Sequence, residues 1–330
     1  NTHFRAFGKP MGMALRGDRL AIGTSHEVRE FRNVPAAGPR AAPAGRHDAC
    51  FVPRGTHVTG DIQVHDLAFA GDDLWVVNTR FSCLCTLRPD CSFVPRWRPP
   101  FVSALAPEDR CHLNGLAVRD GRPRYVTALG RTDRPQGWRD DKRDGGVLMD
   151  VAAGAVVVGG LSMPHSPRWY ADRLWVLESG TGGLGTVDLG RGRYVRVADL
   201  PGFTRGLACH DRLAFVGLSQ VRESAVFSGI PIAERSLAER NCGVWAVNID
   251  TGRVVAFLKF EDAVQEIFAV EVLPGTRYPE LADDPALIAS SYVLPDEALA
   301  QVAAPFRGAD DPLLGPPFPR TPSEVRDGGA

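Results

Sequence analysis

An all-β chain built of repeated antiparallel sheets is what this sequence predicts, and three observations predict it. Short runs rich in Val, Leu, Phe and Trp alternate with Gly, Asp, Pro and Asn turns through most of the 330 residues. One hairpin turn recurs as GDRL, GDDL, ADRL and HDRL. No stretch before the last third carries convincing helical periodicity. Units of about 40–50 residues, each a four-stranded antiparallel sheet, are the signature of a single β-propeller. Six blades fit the length, and seven would fit if residues 48–62 held another. The propeller is expected over residues 1–304, with 305–330 as a Pro- and Gly-rich C-terminal tail.

The first unit starts near Met11, and its outer half is obscure. The second reads as strands at 65–70, 73–79, 83–87 and 92–97, and the third at 113–118, 124–129, 146–151 and 155–158. The fourth is the clearest, at 165–170, 173–178, 183–189 and 194–198. The fifth begins at Thr204 and Arg212, detours, and resumes at 243–249 and 254–260, where GVWAVNIDTGRVVAFLKF is strand, Asp-Thr-Gly turn and strand. A sixth inner strand fits 267–273, with 286–292 as its partner. PDEALAQVAAPF, 295–306, is the best helical candidate, with Pro295 at its start. Long excursions at 35–60, 132–144 and 220–241 have the length of functional or mobile loops.

Composition excludes several classes. A formal net charge of -1, with arginines scattered singly among aspartates, leaves no basic stripe for nucleic acid. No apolar run approaches the roughly 20 residues that span a bilayer, so no membrane partner is expected. The opening NTHFRAFGKP lacks the apolar core of a secretory signal, although a leader removed ahead of Asn1 stays open. Seven cysteines, an odd number, read as reduced packed thiols, and the cytoplasm is the expected compartment. Cys83 and Cys85 would share one strand face, where a disulfide between them would be strained.

The chemistry concentrates in histidines at one phase of the repeat. His65 opens VHDLAFAGDDLWVVN, His112 opens CHLNGLAVRDGRPRYVT, and His165 opens PHSPRWYADRLWVLE. His65 precedes Leu74 by the same interval as His165 precedes Leu174. The first strand of each propeller blade lines the channel, so three imidazoles are expected at one channel mouth. Imidazole suits zinc, copper, iron and nickel, and a set of three leaves an open position for water or substrate. His65, His112 and His165 are therefore the expected ligands of one transition-metal ion, copper or iron ahead of zinc. The corresponding positions of later blades offer Thr204 with Arg205, and Glu266. Glu266 is a candidate fourth ligand or general base, and Arg205 a candidate two-pronged carboxylate binder or charge stabiliser. Thr204 and Asn114, the latter two residues beyond His112, are candidate substrate contacts. Asn78 and Glu178 share one register and could orient the imidazoles. Asp66 should point to the opposite face as a turn or inter-blade group, and Cys111 away from the channel. His47 and His57 lie in a loop, and His210 in a hairpin turn. Trp75 and Trp175 should pack between blades. The Gly-x-Ser-x-Gly elbow, the phosphate-cradling loop and the His-Glu-x-x-His helix are all missing, and ESGTGGLGTVD reads as a hairpin turn.

At NTRFSCLCTL, SFVPRWRPPFVSAL, EDRCHLNGLAV, LSMPHSPRW, LWVLESGTGGLGTVD and GLSQVRESAVFSGIPI the chain resembles a bacterial conserved-hypothetical family of predicted propellers, over residues 11–279. That resemblance implies a propeller and no activity. The three-histidine channel is also similar, as a site only, to zinc-holding peptidylamidoglycolate lyases and to iron-dependent carotenoid-cleaving oxygenases. The expected function is a metal-dependent enzyme, an iron or copper oxidoreductase acting on a small molecule or peptide in specialised metabolism. A zinc-dependent lyase or hydrolase is the first alternative, and a non-catalytic propeller scaffold the second.

Overall fold

Tight two-residue turns close the inner hairpins, and their backbone shows why the recurring motif favours Gly and Asp. Ala171 and Asp172 both take positive φ, 49° and 56°, as do Asp120 and Gly121, 52° and 68°. This is the twist that a two-residue hairpin demands. The computed structural model describes residues 2–221, 228–262 and 264–302.

Five antiparallel sheets follow one another along the chain. The first holds β1 (Met13–Arg16), β2 (Arg19–Gly23), β3 (Glu27–Asn33) and β4 (Ala49–Val58). The second holds β5 (Val64–Ala70), β6 (Asp73–Asn78), β7 (Cys83–Arg88) and β8 (Cys91–Trp97). The third runs through β9 (Leu113–Arg119), β10 (Arg122–Ala128), β11 (Gly146–Asp150) and β12 (Ala155–Leu161). The fourth runs through β13 (Pro164–Tyr170), β14 (Arg173–Glu178), β15 (Gly183–Asp188) and β16 (Arg193–Asp199). The fifth comprises β17 (Phe203–His210), β18 (Leu213–Ser219), β19 (Cys242–Asn248) and β20 (Val254–Phe260). The fold is a β-propeller, and consecutive inner strands β1, β5, β9, β13 and β17 pack side by side around its channel. Apolar clusters fill the spaces between neighbouring blades: Val28 with Val76, Val77 with Leu116, Tyr125 with Leu174, and Trp175 with Leu218.

The blade count is five, not six or seven. Residues 48–62, where a seventh unit could have hidden, supply β4, the outer strand of the first blade. The expected sixth inner strand, 267–273, joins no sheet among the described residues. It runs between the fifth blade and the first. Ser219 ties it down, its hydroxyl taking the Ile267 N–H at 2.9 Å and donating to the Ile267 carbonyl at 3.1 Å. Leu273 packs against the first blade's cluster of Ile22, Phe31, Ala49 and Phe51. Pro274 and Pro279 then interrupt the run. The expected partner strand at 286–292 begins instead as a helix, α1 (Pro285–Ala289), whose Asp284 side chain caps the Ala286 N–H at 2.9 Å. That Asp-Pro start outweighs the apolar run behind it. The helix expected over 295–306 is the single turn α2 (Asp296–Leu299), and residues 303–306, like the tail at 305–330, lie outside the described residues. With no sixth sheet against them, Val255, Phe257 and Leu258 on the outermost strand β20 stay exposed. The ring is clasped by β21 (Pro279–Leu281), which pairs parallel with β4.

An ion pair plugs the channel between its two mouths. The Asp66 carboxylate, on β5, accepts the Leu67 and Leu116 N–H groups at 3.0 Å each and both terminal nitrogens of Arg168 at 2.8 and 3.1 Å. Arg168, on β13, also donates to the Leu207 carbonyl at 3.2 Å and the Leu116 carbonyl at 3.2 Å. Four inner strands are thereby joined by one buried pair. Asp66 is the inter-blade group expected of it. Where the inner strands end, a cavity of about 280 Å³ opens beyond this plug, lined by Phe69, Tyr170, Cys209 and Glu271 among others. The other mouth, where the same strands begin, holds the histidines.

Candidate functional site

A one-residue bulge recurs where the inner strands start. It falls between Val64 and Leu67 in the second blade, between His165 and Arg168 in the fourth, and between Thr204 and Leu207 in the fifth. A bulge re-aims side chains that regular pleating would send elsewhere. Here it opens a cavity of about 290 Å³ onto which His65, His112, His165, Arg205 and Glu266 all face. The three histidines and the two charged residues read from the repeat are thus brought together. The His65 and His112 rings meet edge to face with centroids 4.7 Å apart.

Each imidazole is held by its Nδ1. In His65 this nitrogen lies 3.1 Å from the Gln63 carbonyl and 2.8 Å from the Thr79 hydroxyl. In His165 it lies 2.8 Å from the Met163 carbonyl and 2.9 Å from the Ser179 hydroxyl. The two arrangements are copies. In both, the residue two before the histidine is a non-glycine at positive φ, Gln63 at 54° and Met163 at 46°. A side chain rarely accepts that conformation, and here it turns a carbonyl toward the ring. A carbonyl can only accept, so Nδ1 carries the proton and Nε2 keeps its lone pair for the cavity.

His112 is held differently. Its Nδ1 sits 2.9 Å from each Asp109 carboxylate oxygen, and Trp138 Nε1 donates to the same carboxylate at 3.0 Å. The Trp138 ring lies 4.4 Å from the imidazole, and Asp109 and His112 both have positive φ, 49° and 50°. Asp109 is a functional neighbour that the sequence reading missed, although it stands three residues ahead of His112 in EDRCH.

Burial is the largest cause pushing His65 and His165 well below the ordinary histidine range, and the Arg205 charge adds to it in both. Arg205 itself is pushed down to about 10, burial outweighing the nearby Glu266 carboxylate. Its guanidinium lies 3.6 Å over the Phe268 ring. Glu266 is exposed at the rim.

Other expected site residues are employed elsewhere. Asn114 donates to the Pro164 carbonyl at 3.0 Å and accepts from Thr127 at 2.7 Å, joining two blades. Thr204 is buried, its hydroxyl 3.4 Å from the Gly183 carbonyl. Asn78 accepts the Phe81 N–H at 3.0 Å, and Glu178 pairs with Arg196. Imidazole orientation at His65 and His165 falls to the residue just after each strand, Thr79 and Ser179. Cys111 is buried among Val77 and Val102 and pushed up to about 12 by burial. His47 lies between the Tyr278 and Ala42 carbonyls, and His57 bonds the Ser92 carbonyl at 2.9 Å. Trp175 packs between the fourth and fifth blades.

Fold and site together define a five-bladed propeller with a histidine- and arginine-lined cavity at one channel mouth. The chain belongs to a family described as a domain of unknown function, DUF4915, whose model matches residues 1–282. No functionally curated protein matches the sequence. Among solved structures, it is similar to a calcium-binding protein, regucalcin, from Agrobacterium tumefaciens (13% identity, TM-score 0.47, 75% of this chain and 73% of that one). It is also similar to a chain of a nidogen/laminin complex (8%, TM-score 0.42, 75% and 79%). A third likeness is to the computationally designed protein Ika8 (10%, TM-score 0.37), where 76% of this chain spans 61% of that one. Among the described residues no helix is long and apolar enough to cross a membrane.

Proposed function

We propose that the histidine mouth is the active site of a metal-dependent enzyme, with His65, His112 and His165 offering Nε2 to one transition-metal ion. The observation that carries this reading is the anchoring of all three Nδ1 atoms, on a carbonyl twice and a carboxylate once. Ligating histidines characteristically give their second nitrogen to such partners. Burial keeps His65 and His165 unprotonated, the form a metal needs. Two imidazoles sharing an ion through metal–nitrogen bonds of about 2.0–2.1 Å have ring centres about 5 Å apart, and His65 and His112 stand at 4.7 Å. Among the described residues no group of three or more His, Cys, Asp or Glu is placed to hold an ion. Binding would therefore draw the three imidazoles closer together.

We favour an iron or copper oxidoreductase acting on a small molecule or peptide. The ion would supply the redox chemistry, and the chain would orient its ligands and enclose the substrate. A zinc-dependent lyase or hydrolase is the second reading, favoured by Glu266, the one carboxylate among the described lining residues. All seven cysteines are free, which supports a reducing compartment such as the cytoplasm.

Metal analysis of untagged protein, reconstituted separately with copper, iron and zinc, tests the proposal. Stoichiometric copper or iron that is lost in His112→Ala is the expected result. Preferential zinc moves the assignment to the second reading. No retention of any of the three ions sinks both and leaves a binding scaffold.

A further inference from the structure

We infer that the ligand taken at the histidine mouth is a small apolar monocarboxylate, its carboxylate seated on the Arg205 guanidinium. The inference rests on the reading of this mouth as a ligand site, and it does not require the metal.

Arg205 is the carrying observation. It faces the cavity with no hydrogen bond or ion pair to the described residues. A guanidinium has five N–H donors in a planar fork that matches a carboxylate two to two. The Phe268 ring covers one face at 3.6 Å, which fixes the plane and leaves the donor edge free. Other arginines of the channel are occupied. Arg168 is saturated in the plug, and Arg139 stacks on Trp138 and donates to Gln136 at 3.0 Å. Burial has lowered the proton affinity of Arg205, so its charge is poorly compensated where it stands. A bound anion supplies the missing partner.

The surrounding charge agrees. Among the described lining residues, Lys9, Arg139 and Arg205 stand against one carboxylate, Glu266. Apart from Gln63 and the histidines, the remaining lining is apolar, made by Met11, Leu129, Trp138, Met163, Phe203 and Phe268. One free guanidinium against an apolar wall fits a carboxylate on a hydrocarbon or aryl body. A phosphate ester calls for more converging donors.

The test measures binding to the full chain after EDTA treatment, by calorimetry or ligand-detected NMR, with benzoate, benzamide and phenyl phosphate as probes. Benzoate should bind about tenfold or more tightly than benzamide, the neutral isostere. It should also bind more tightly than phenyl phosphate. Arg205→Met should remove that preference, and Arg205→Lys should restore part of it. Equal binding of benzoate and benzamide to the wild-type chain overturns the inference without recourse to any variant. Tighter binding of phenyl phosphate overturns it too, as does the absence of benzoate binding. Because metal has been removed, a failure here is separate from a failure to retain copper, iron or zinc.

Discussion

The two mouths of the channel enclose cavities of similar size, about 280 and 290 Å³, and treat their charged groups in opposite ways. Behind the first, Asp66 and Arg168 satisfy each other and make further bonds to two other inner strands. At the second, Arg205 has no such partner and three imidazoles keep Nε2 free of hydrogen bonds, among the described residues. Saturated charge is how a fold holds itself together. Charge held in place and left unsatisfied is how it waits for something else.

The sharpest way to break this contrast is to remove one arginine from each mouth and compare stabilities in urea. Arg168→Met strands the Asp66 carboxylate in the channel and should cost about 3–5 kcal/mol. Arg205→Met removes a charge that has no ion-pair partner among the described residues and should change stability by less than about 1 kcal/mol, or raise it. Comparable losses at both positions would mean that Arg205 is structural as well. A smaller effect separates His112 from the other two histidines. Asp109→Asn keeps the shape of the contact and removes its charge, so copper affinity should fall about 10–100-fold. Calorimetric titration reads this directly, and unchanged affinity would reduce Asp109 to a packing role.

The smallest expected effect belongs to Glu271, the exception at the saturated mouth. Burial is the main cause that pushes its carboxyl up to about 7, against 4.5 for an ordinary glutamate. The folded protein keeps this proton through a range where the unfolded chain has released it. Its contribution to stability is thus fully present below about 4.5 and is lost as pH rises through about 7. Relative to wild type, Glu271→Gln should therefore gain stability between about pH 5 and pH 8, measured as the difference in urea midpoints. A difference that does not vary with pH would show that Glu271 is ordinary.

Much of this was legible in the chain because a repeat brings equivalent positions to equivalent places. The hairpins of blades two to five and the meeting of His65, His112 and His165 follow from that symmetry alone. What broke the repeat was illegible. The run at 267–273 has the apolar content of an inner strand, but its backbone is met by the Ser219 hydroxyl instead of a neighbouring sheet. Asn78 and Glu178 stand in the register expected of imidazole partners, yet the chain turns there and Thr79 and Ser179 do the work. Asp66 was readable as an inter-blade group. Its partner Arg168, 102 residues away, left no mark in the sequence.

The central claim is that three imidazoles of one channel mouth share one metal ion. Electron paramagnetic resonance of the copper(II)-loaded, untagged chain tests it most directly, through the nitrogen couplings on the copper signal. The account predicts coupling to three imidazole nitrogens, with one lost in each of His65→Ala, His112→Ala and His165→Ala. A wild-type spectrum without nitrogen coupling, or one that all three substitutions leave unchanged, would contradict it.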